Sequence, residues 1–234
     1  MDVETDYAAN LAGVLTELAA ARRYNEWLFS RARPNLGRRV LDTGAGIGTF
    51  TELAADVAEE VVALEPDPQF AAELERRFAG RDDVKVVRAA VDELTCESAF
   101  DSVLCLNVLE HVDRDGEALR RIAASLRPGG RLLLLVPAHP ALYGAYDRAT
   151  GHARRYTRPG LRTELERAGL EIDELRHVNP IGALGWLLRI RLARGDAWPT
   201  HSAAAFERIV PLARALDAVR LPFGLSLWAV ARRP

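Results

Sequence analysis

The 234-residue sequence has little of what marks several protein classes. Its two cysteines, Cys96 and Cys105, are too few for a disulfide framework and have no metal-ligand spacing, so we expect no metal site. We interpret both as small apolar side chains in a reducing, cytoplasmic compartment. The formal net charge is −2, so no overall charge excess attracts nucleic acid or anionic lipid.

Long apolar runs are also absent. No run approaches the ~20 residues that span a bilayer, and the longest candidate, residues 181–188, is followed by Arg189, Arg191 and Arg194. The first ten residues are acidic and lack the apolar region of a secretory signal. These features predict a cytoplasmic protein, either a monomer or a homodimer.

What the sequence does contain is a regular alternation of apolar strands and helices. An amphipathic helix is predicted first, over residues 8–30. Continuous apolar strands are typical of a parallel sheet that is buried on both faces. The alternation therefore predicts an α/β, Rossmann-like, doubly wound fold. The predicted strands are residues 39–42, 60–65, 84–90, 100–106, 131–136, 170–178 and 225–231.

A glycine-rich turn follows the first of these strands, in VLDTGAGIGTF at residues 40–50. Its glycines, Gly44, Gly46 and Gly48, permit positive φ and close approach of a ligand to the backbone. The next helix adds free N–H groups at its N-terminus. The G-x-G-x-G spacing differs from the dinucleotide pattern G-x-G-x-x-G. Asp42 beside the turn disfavours a pyrophosphate and favours a cationic ammonium.

A second acidic residue, Glu65, ends the next strand about 20 residues after the turn, where a carboxylate accepts hydrogen bonds from a ribose diol. The pair of acids indicates a ligand with an adenosine-like ribose and a zwitterionic tail. S-adenosylmethionine has both.

Four segments, in this order, resemble the class I S-adenosylmethionine-dependent methyltransferases. Residues 42–48 (DTGAGIG) resemble their first motif, and Glu65 stands where their ribose-binding acid stands. Residues 105–112 (CLNVLEHV) are similar to the segment after their fourth strand, and residues 126–132 to the turn before strand five. The resemblance is close over residues 36–137 and implies a seven-stranded sheet that uses S-adenosylmethionine and releases S-adenosylhomocysteine.

The resemblance also implies roles for individual residues. Asp42 and the glycine turn would hold the methionine part, Glu65 the ribose hydroxyls, and Pro66 would lie beside the adenine. Tyr24 would close the pocket, with core packing as the alternative. The implied cofactor-binding set is Tyr24, Asp42, Gly44, Ala45, Gly46, Gly48, Glu65, Pro66, Ala90, Val91, Asn107, Val108 and His111.

Two points stay open on the cofactor side. Where many relatives have an acid after strand three, this chain has Ala90, so either the backbone of Ala90 or Val91, or the Asp92 side chain, would contact the adenine. Glu110 and His111 have the alternative of a solvated helix start.

The acceptor is expected to bind the segment after strand five, residues 137–160, at the carboxyl edge of the sheet. Residues 151–157 resemble a stretch in type 11 and 12 methyltransferase domains. His152 is the candidate general base because its ordinary pKa lies near neutrality. Arg155 is the candidate for holding an acidic acceptor. The predicted acceptor-binding set is His139, Tyr143, Arg155 and Tyr156.

This segment also has a structural interpretation. In it, Arg154 and Arg155 pair with acids that lock the segment, and His152 is a structural hydrogen-bonding residue.

Residues 180–222 are predicted to form a helical insertion whose apolar face includes Ile209, Val210 and Val219. We interpret this insertion as a cover on the core. The alternative is a lid over the acceptor or a face that rests on a membrane.

The chain is thus predicted as one methyltransferase domain with a helical cap (residues 1–35), a cofactor-binding half (36–137) and an acceptor-side half (138–234). It is expected to methylate an oxygen or nitrogen atom of a small molecule: a secondary metabolite, a sugar or a lipid-linked acceptor. No nucleic-acid partner is expected. The alternatives are a non-catalytic cofactor-binding protein and a nicotinamide-dependent oxidoreductase.

Overall fold

The computed structural model describes residues 13, 16, 19–192 and 202–234, without the side chains of residues 188–206. The helices are α1 Arg22–Ala32, α2 Thr49–Ala55, α3 Pro68–Arg77, α4 Asp115–Ser125, α5 Ala145–Ala149, α6 Arg158–Arg167, α7 Pro180–Leu192 and α8 Ser202–Asp217. The strands are β1 Arg39–Thr43, β2 Glu60–Leu64, β3 Val84–Val87, β4 Phe100–Leu106, β5 Leu126–Pro137, β6 Glu171–Val178 and β7 Ser226–Arg232.

The strands form one seven-stranded sheet in the order β3-β2-β1-β4-β5-β7-β6. Strands β1 to β5 pair in parallel, and β7 lies antiparallel between β5 and β6. The predicted seven-stranded, doubly wound α/β fold is confirmed, although the sheet is mixed. The order of strands reverses between β1 and β4, which opens a crevice at their carboxyl ends where such folds bind ligands.

The core lies on both faces of this sheet, as the run of leucines in β5 illustrates. Leu132 and Leu134 belong to the core on one face, and Leu133 and Leu135 to the core on the other. Successive side chains of a strand point to opposite faces, so a continuous apolar run is what a strand covered by helices on both sides requires. Both sulfhydryls are free, with Cys105 fully buried.

Some predicted boundaries differ from the structure. The predicted helix over residues 8–30 is interrupted at Ala21, whose φ and ψ are −80° and 64°, and much of its first half lies outside the described residues. Strand β3 ends at Val87, three residues early. Strand β5 begins at Leu126, five residues early, because Gly129 and Gly130 exchange backbone hydrogen bonds with Arg233 at 2.8 and 2.9 Å.

The 180–222 insertion packs on the N-terminal helix in its described part. Val210 and Ala213 of α8 are buried against Trp27 of α1. Ile209 and Val219, which belong to the same predicted apolar face, are 39% and 65% exposed, so only part of that face packs on the core. No helix among residues 13–192 and 202–234, as far as these are described, is both long and apolar enough to cross a bilayer.

The carboxylate of Asp217 ties this insertion to the rest of the chain. It forms an ion pair with Arg31 of α1 and accepts a hydrogen bond from the backbone N–H of Asn179 at 3.0 Å. Asp217 is only 4% exposed, so these partners are needed to offset its desolvation. The structure supports the interpretation of the insertion as a helical cover.

We expect Leu133→Ala to lower the free energy of unfolding by about 2–5 kcal/mol, because it leaves a cavity in a fully buried position. The matched control is Leu212→Ala on α8, where the side chain is 57% exposed and the expected change is within about 0.5 kcal/mol. Urea unfolding measures both. Equal effects of the two substitutions would contradict the described core.

Candidate functional site

The glycine turn after β1 has the geometry that the sequence predicts. Gly44, Gly46 and Gly48 have φ values of 59°, 56° and 85°. A Cβ atom on Gly44 would lie 2.7 Å from Cγ2 of Val108, and one on Gly48 would lie 2.7 Å from the Phe78 ring. Glycine is therefore required for both backbone conformation and space. The contact with Val108 brings the segment after β4 directly over the turn.

Glu65 holds this turn from the neighbouring strand. Its Oε2 accepts the backbone N–H of Gly46 at 2.8 Å, and its Oε1 accepts that of Asp67 at 2.9 Å. Burial raises the pKa of Glu65, and these two hydrogen bonds offset part of the rise. Each carboxylate oxygen has a second lone pair with which it can accept a hydroxyl. Asp67 itself caps α3, because its Oδ1 accepts the backbone N–H groups of Gln69 and Phe70 at 2.7 and 3.2 Å.

Asp42, at the end of β1, is 3% exposed. The hydroxyl of Thr51, in the first turn of α2, donates to its Oδ2 at 2.7 Å. Burial raises the pKa of Asp42 to about 7; the Thr51 hydrogen bond lowers it, and the nearby Glu65 carboxylate raises it further. A cation placed beside this carboxylate would favour its ionised form.

Residues with left-handed backbone follow three strands whose carboxyl ends lie at the same edge of the sheet. Asn107 after β4, His139 after β5 and Asn179 after β6 have φ values of 55°, 62° and 60°. Such conformations are costly for residues other than glycine and are concentrated at functional sites. Near the predicted adenine position, the N–H of Ala90 donates to Oε2 of Glu93 at 2.7 Å. The alternatives for the adenine contact, the backbone of Ala90 or Val91 and the Asp92 side chain, stay predictions.

Polar side chains meet between the segment after β4 and residues 137–160; we call Glu110, His111, Asp147, His152 and Arg155 the polar cluster. The two histidines of this cluster are half-buried and the other three residues are buried. Glu110 is fully buried, so the alternative of a solvated helix start is wrong for it. Burial raises the pKa of Glu110 to about 8 and lowers that of His111 to about 4, with the His152 ring adding to the second shift. Within the polar cluster, burial therefore favours the neutral forms of Glu110 and His111.

Asp147 orients His152 within the polar cluster. Nδ1 of His152 lies 2.9 Å from Oδ1 of Asp147, and Nε of Arg155 donates to the same oxygen at 2.7 Å. Burial opposes ionisation of Asp147, but the hydrogen bonds from His152 and Arg155 prevail and lower its pKa. With Nδ1 engaged, Nε2 of His152 points toward Oε1 of Glu110 at 4.0 Å.

The arginines predicted to lock the segment do so. Arg154 forms an ion pair with Asp115 at 2.8 Å, and Arg155 is buried on Asp147. The Tyr156 hydroxyl is also engaged, 2.9 Å from the Asp115 carboxylate, and the ring is part of the core. The acceptor-binding roles of Arg155 and Tyr156 stay predictions, and these contacts favour the structural interpretation.

Aromatic rings enclose the polar cluster. Tyr146 lies 6.1 Å from the His152 ring and 5.2 Å from Trp186 of α7, measured between centroids. Burial raises the pKa of Tyr24 to about 12, and Tyr24 interacts electrostatically with Tyr146. Tyr24 thus connects α1 to the 137–160 segment. The sequence interpretation missed Tyr146 and Trp186, since their proximity to His152 depends on how α5 and α7 pack.

An apolar pocket of about 290 Å³ lies at the same edge of the sheet. Of the predicted acceptor residues, His139 lines this pocket and stacks on His177, with the ring centroids 5.0 Å apart. Tyr143 and Arg155 line a second pocket, of about 260 Å³, and the Tyr143 hydroxyl donates to the His152 carbonyl at 2.8 Å. The apolar pocket is lined by His139, Ala141, Leu142, Ala183, Leu187 and Phe223.

Comparison with known proteins gives consistent results. The methyltransferase domain family matches residues 14–175. A ubiquinone biosynthesis O-methyltransferase of Xanthomonas axonopodis pv. citri is 33% identical over 168 residues, which cover 64% of this chain and 69% of the relative. A tRNA U34 carboxymethyltransferase of Shewanella loihica is 32% identical over 118 residues, which cover 47% of this chain and 36% of the relative.

A solved structure shows the same fold. The S-adenosylmethionine-dependent methyltransferase of Mesorhizobium loti has a TM-score of 0.65 and 21% identity, with 89% of this chain and 98% of that chain covered. The fold and the glycine turn define an enzyme that uses S-adenosylmethionine. The chain belongs to the methyltransferase domain family and is a class I S-adenosylmethionine-dependent methyltransferase. The nicotinamide alternative is thereby wrong.

The residues present fit this cofactor. The turn has no room for a side chain at Gly44 or Gly48. Asp42 is a buried carboxylate without an ionic partner among the described residues, and Glu65 has lone pairs for hydroxyl groups. When bound, S-adenosylmethionine supplies an activated methyl group on a sulfonium. The assignment of each residue to a part of the cofactor stays a prediction.

We expect Glu65→Gln to weaken S-adenosylhomocysteine binding at least about tenfold. Glutamine has one acceptor oxygen for the two N–H groups of Gly46 and Asp67, so one buried donor loses its partner at a cost of about 1–3 kcal/mol. Calorimetric titration measures the affinity. The control is Glu60→Gln at the other end of β2, and equal affinities of the two variants would contradict the prediction.

We expect the stability of the cofactor-free protein to fall as the pH rises from about 4 to about 7. Folding raises the pKa of Asp42 to about 7, so the folded chain holds a proton that the unfolded chain has lost. The bound proton contributes at most about 4 kcal/mol to the free energy of unfolding. This contribution is fully present below the pKa of Asp42 in the unfolded chain, and it is lost as the pH rises through the pKa of Asp42 in the folded chain. Urea unfolding at several pH values should show a smaller fall in Asp42→Asn, and an identical fall would contradict the prediction.

Proposed function

We propose that this methyltransferase transfers the methyl group to an oxygen or nitrogen atom of a small molecule that has an apolar part, as in a lipid-linked acceptor. The observation that supports this most directly is the apolar pocket at the carboxyl edge of the sheet. Residues after β5 and on α7, and Phe223 before β7, line it together. All three places lie at the edge where class I enzymes bind their ligands.

Exposed apolar side chains extend from this pocket. Leu184 and Leu187 of α7 are 52% and 39% exposed, and Phe223 is 37% exposed. A surface of this kind, next to buried polar groups, is typical of a site that takes an amphipathic ligand. The acceptor tail would lie on these side chains, with its polar end toward His152 and Tyr146.

Methyl transfer from a sulfonium is an in-line displacement in which the acceptor atom must reach about 3–3.5 Å and water must be excluded. The aromatic rings of Tyr146 and Trp186 are placed to exclude water from the polar cluster. A hydroxyl acceptor must also lose a proton. His152 is oriented for that task, since Asp147 engages Nδ1 and leaves Nε2 to accept the proton.

The relatives differ in what their names state. One is a ubiquinone biosynthesis O-methyltransferase and another is a tRNA U34 carboxymethyltransferase. The net charge of −2 does not favour a nucleic-acid acceptor, because phosphate binding depends on Lys and Arg. The apolar pocket agrees better with the first kind of acceptor than with the second.

The test is transfer of labelled methyl from S-adenosylmethionine to three acceptors: a prenylated catechol, the same catechol without its tail, and bulk tRNA. We expect the prenylated catechol to be methylated with a lower KM than the short one, and tRNA not to be methylated. Label in tRNA alone would overturn the proposal. If none of the three acceptors is labelled by protein that binds S-adenosylhomocysteine normally, the result would count against this acceptor class.

We expect His152→Ala to lower kcat about 10²–10⁴-fold on a hydroxyl acceptor, the usual contribution of a general base. Binding of S-adenosylhomocysteine should be unchanged, which separates lost chemistry from lost folding. His177→Ala, which removes an imidazole outside the polar cluster, is the matched control. Near-normal turnover in His152→Ala would exclude the base role.

A further inference from the structure

Three potential metal ligands converge in the polar cluster. One ligand atom from each of Glu110, His111 and His152 lies within 4.8 Å of the others. Oε1 of Glu110 is 4.0 Å from Nε2 of His152, and the two imidazole rings are nearly perpendicular, with centroids 4.8 Å apart. The three side chains come from two places in the chain, the 3₁₀ turn Leu109–His111 and the 137–160 segment.

The Glu110 carboxylate has a separate anomaly. It is fully buried, yet neither of its oxygens accepts a well-formed hydrogen bond from another described residue. A buried carboxylate without partners is strongly destabilising, which is why buried acids are nearly always paired or bound to metal. The carboxylate is directed at the two imidazoles, so a cation between the three side chains would provide the missing partner.

The surroundings of His152 have the form found around metal-binding histidines. Nδ1 lies 2.9 Å from Oδ1 of Asp147, which leaves Nε2 as the ligand atom. Histidine ligands generally donate their other ring N–H to a carboxylate, and that contact sets tautomer and orientation. Arg155 pairs with Asp147 and not with Glu110, so the Glu110 carboxyl group has no arginine or lysine partner among the described residues.

We propose that Glu110, His111 and His152 bind a divalent transition-metal ion, with Zn²⁺ as the reference ion. Two imidazoles and one carboxylate are a set that binds Zn²⁺, Co²⁺ or Fe²⁺ and keeps a coordination position open. Mg²⁺ and Ca²⁺ prefer oxygen ligands and are disfavoured. Metal–ligand bonds of about 2.0–2.2 Å require the three side chains to approach one another by roughly 1 Å.

The site lies beside the cofactor turn. Val108, two residues before Glu110, contacts Gly44, so an ion on Glu110 is close to where the methyl group is expected. An acceptor hydroxyl in the open position would bind the ion and lose its proton to solvent at a lower pH than a free hydroxyl. His152 would then be a ligand, and the ion would replace it as the group that promotes deprotonation. Metal affinity itself does not depend on the acceptor.

The test is titration of the purified, full-length, metal-stripped protein with Co²⁺, followed by the visible absorption of imidazole-bound Co²⁺, and with Zn²⁺ by calorimetry. We expect one ion per chain. Glu110→Gln and His152→Ala should each lower the affinity at least about tenfold, and Asp147→Asn about 10–100-fold through its contact with His152. His177→Ala, which removes a histidine outside the polar cluster, should bind the ion normally.

Binding of S-adenosylhomocysteine to every variant shows that it is folded and keeps this test separate from the proposed acceptor. No stoichiometric binding of Co²⁺ or Zn²⁺ at micromolar concentration, in protein that binds S-adenosylhomocysteine, would overturn the proposal. Binding that is unchanged in Glu110→Gln and His152→Ala would overturn it too, since the ion would then lie elsewhere.

Discussion

The cofactor side of this protein depends on the two hydrogen bonds that the Glu65 carboxylate accepts. One comes from Gly46 in the turn after β1 and the other from Asp67 at the start of α3. A single buried side chain thereby fixes the glycine turn, the end of β2 and the first turn of α3 relative to one another. Because the glycine backbone is otherwise the most easily deformed part of the site, this constraint preorganises the cradle before a ligand arrives.

In the 137–160 segment, Asp147 has the role that Glu65 has in the glycine turn. It accepts from Arg155 and holds His152, so the irregular 137–160 segment is fastened from within by a buried ion pair. Breaking such a pair leaves an uncompensated buried charge, which makes the arrangement sensitive to substitution. The carboxylate that locks the segment also engages Nδ1 of His152, so the fold of the segment and the orientation of this imidazole depend on one side chain.

Buried acids are concentrated at the carboxyl edge of the sheet. Burial raises the pKa of Asp42, Glu65 and Glu110, which means that the unliganded protein bears the cost of desolvating three carboxylates. Groups that offer a positive charge or hydroxyl donors to these acids would recover that cost on binding. An ammonium at Asp42, a ribose at Glu65 and a metal ion at Glu110 are chemically distinct ways of doing so, and only the first two follow from the enzyme's class.

Local patterns were enough to predict the sheet, the glycine turn and the place of Glu65, because strand periodicity and positive-φ glycines are properties of short segments. They did not predict that Ala21 interrupts the first helix, or that Ile209 and Val219 of the predicted apolar face are exposed while Val210 and Ala213 are buried. Those outcomes depend on which helix packs against which. The polar cluster is the clearest case: Glu110 and His152 are far apart in sequence, and only the packing of the 137–160 segment over the end of β4 buries one beside the other.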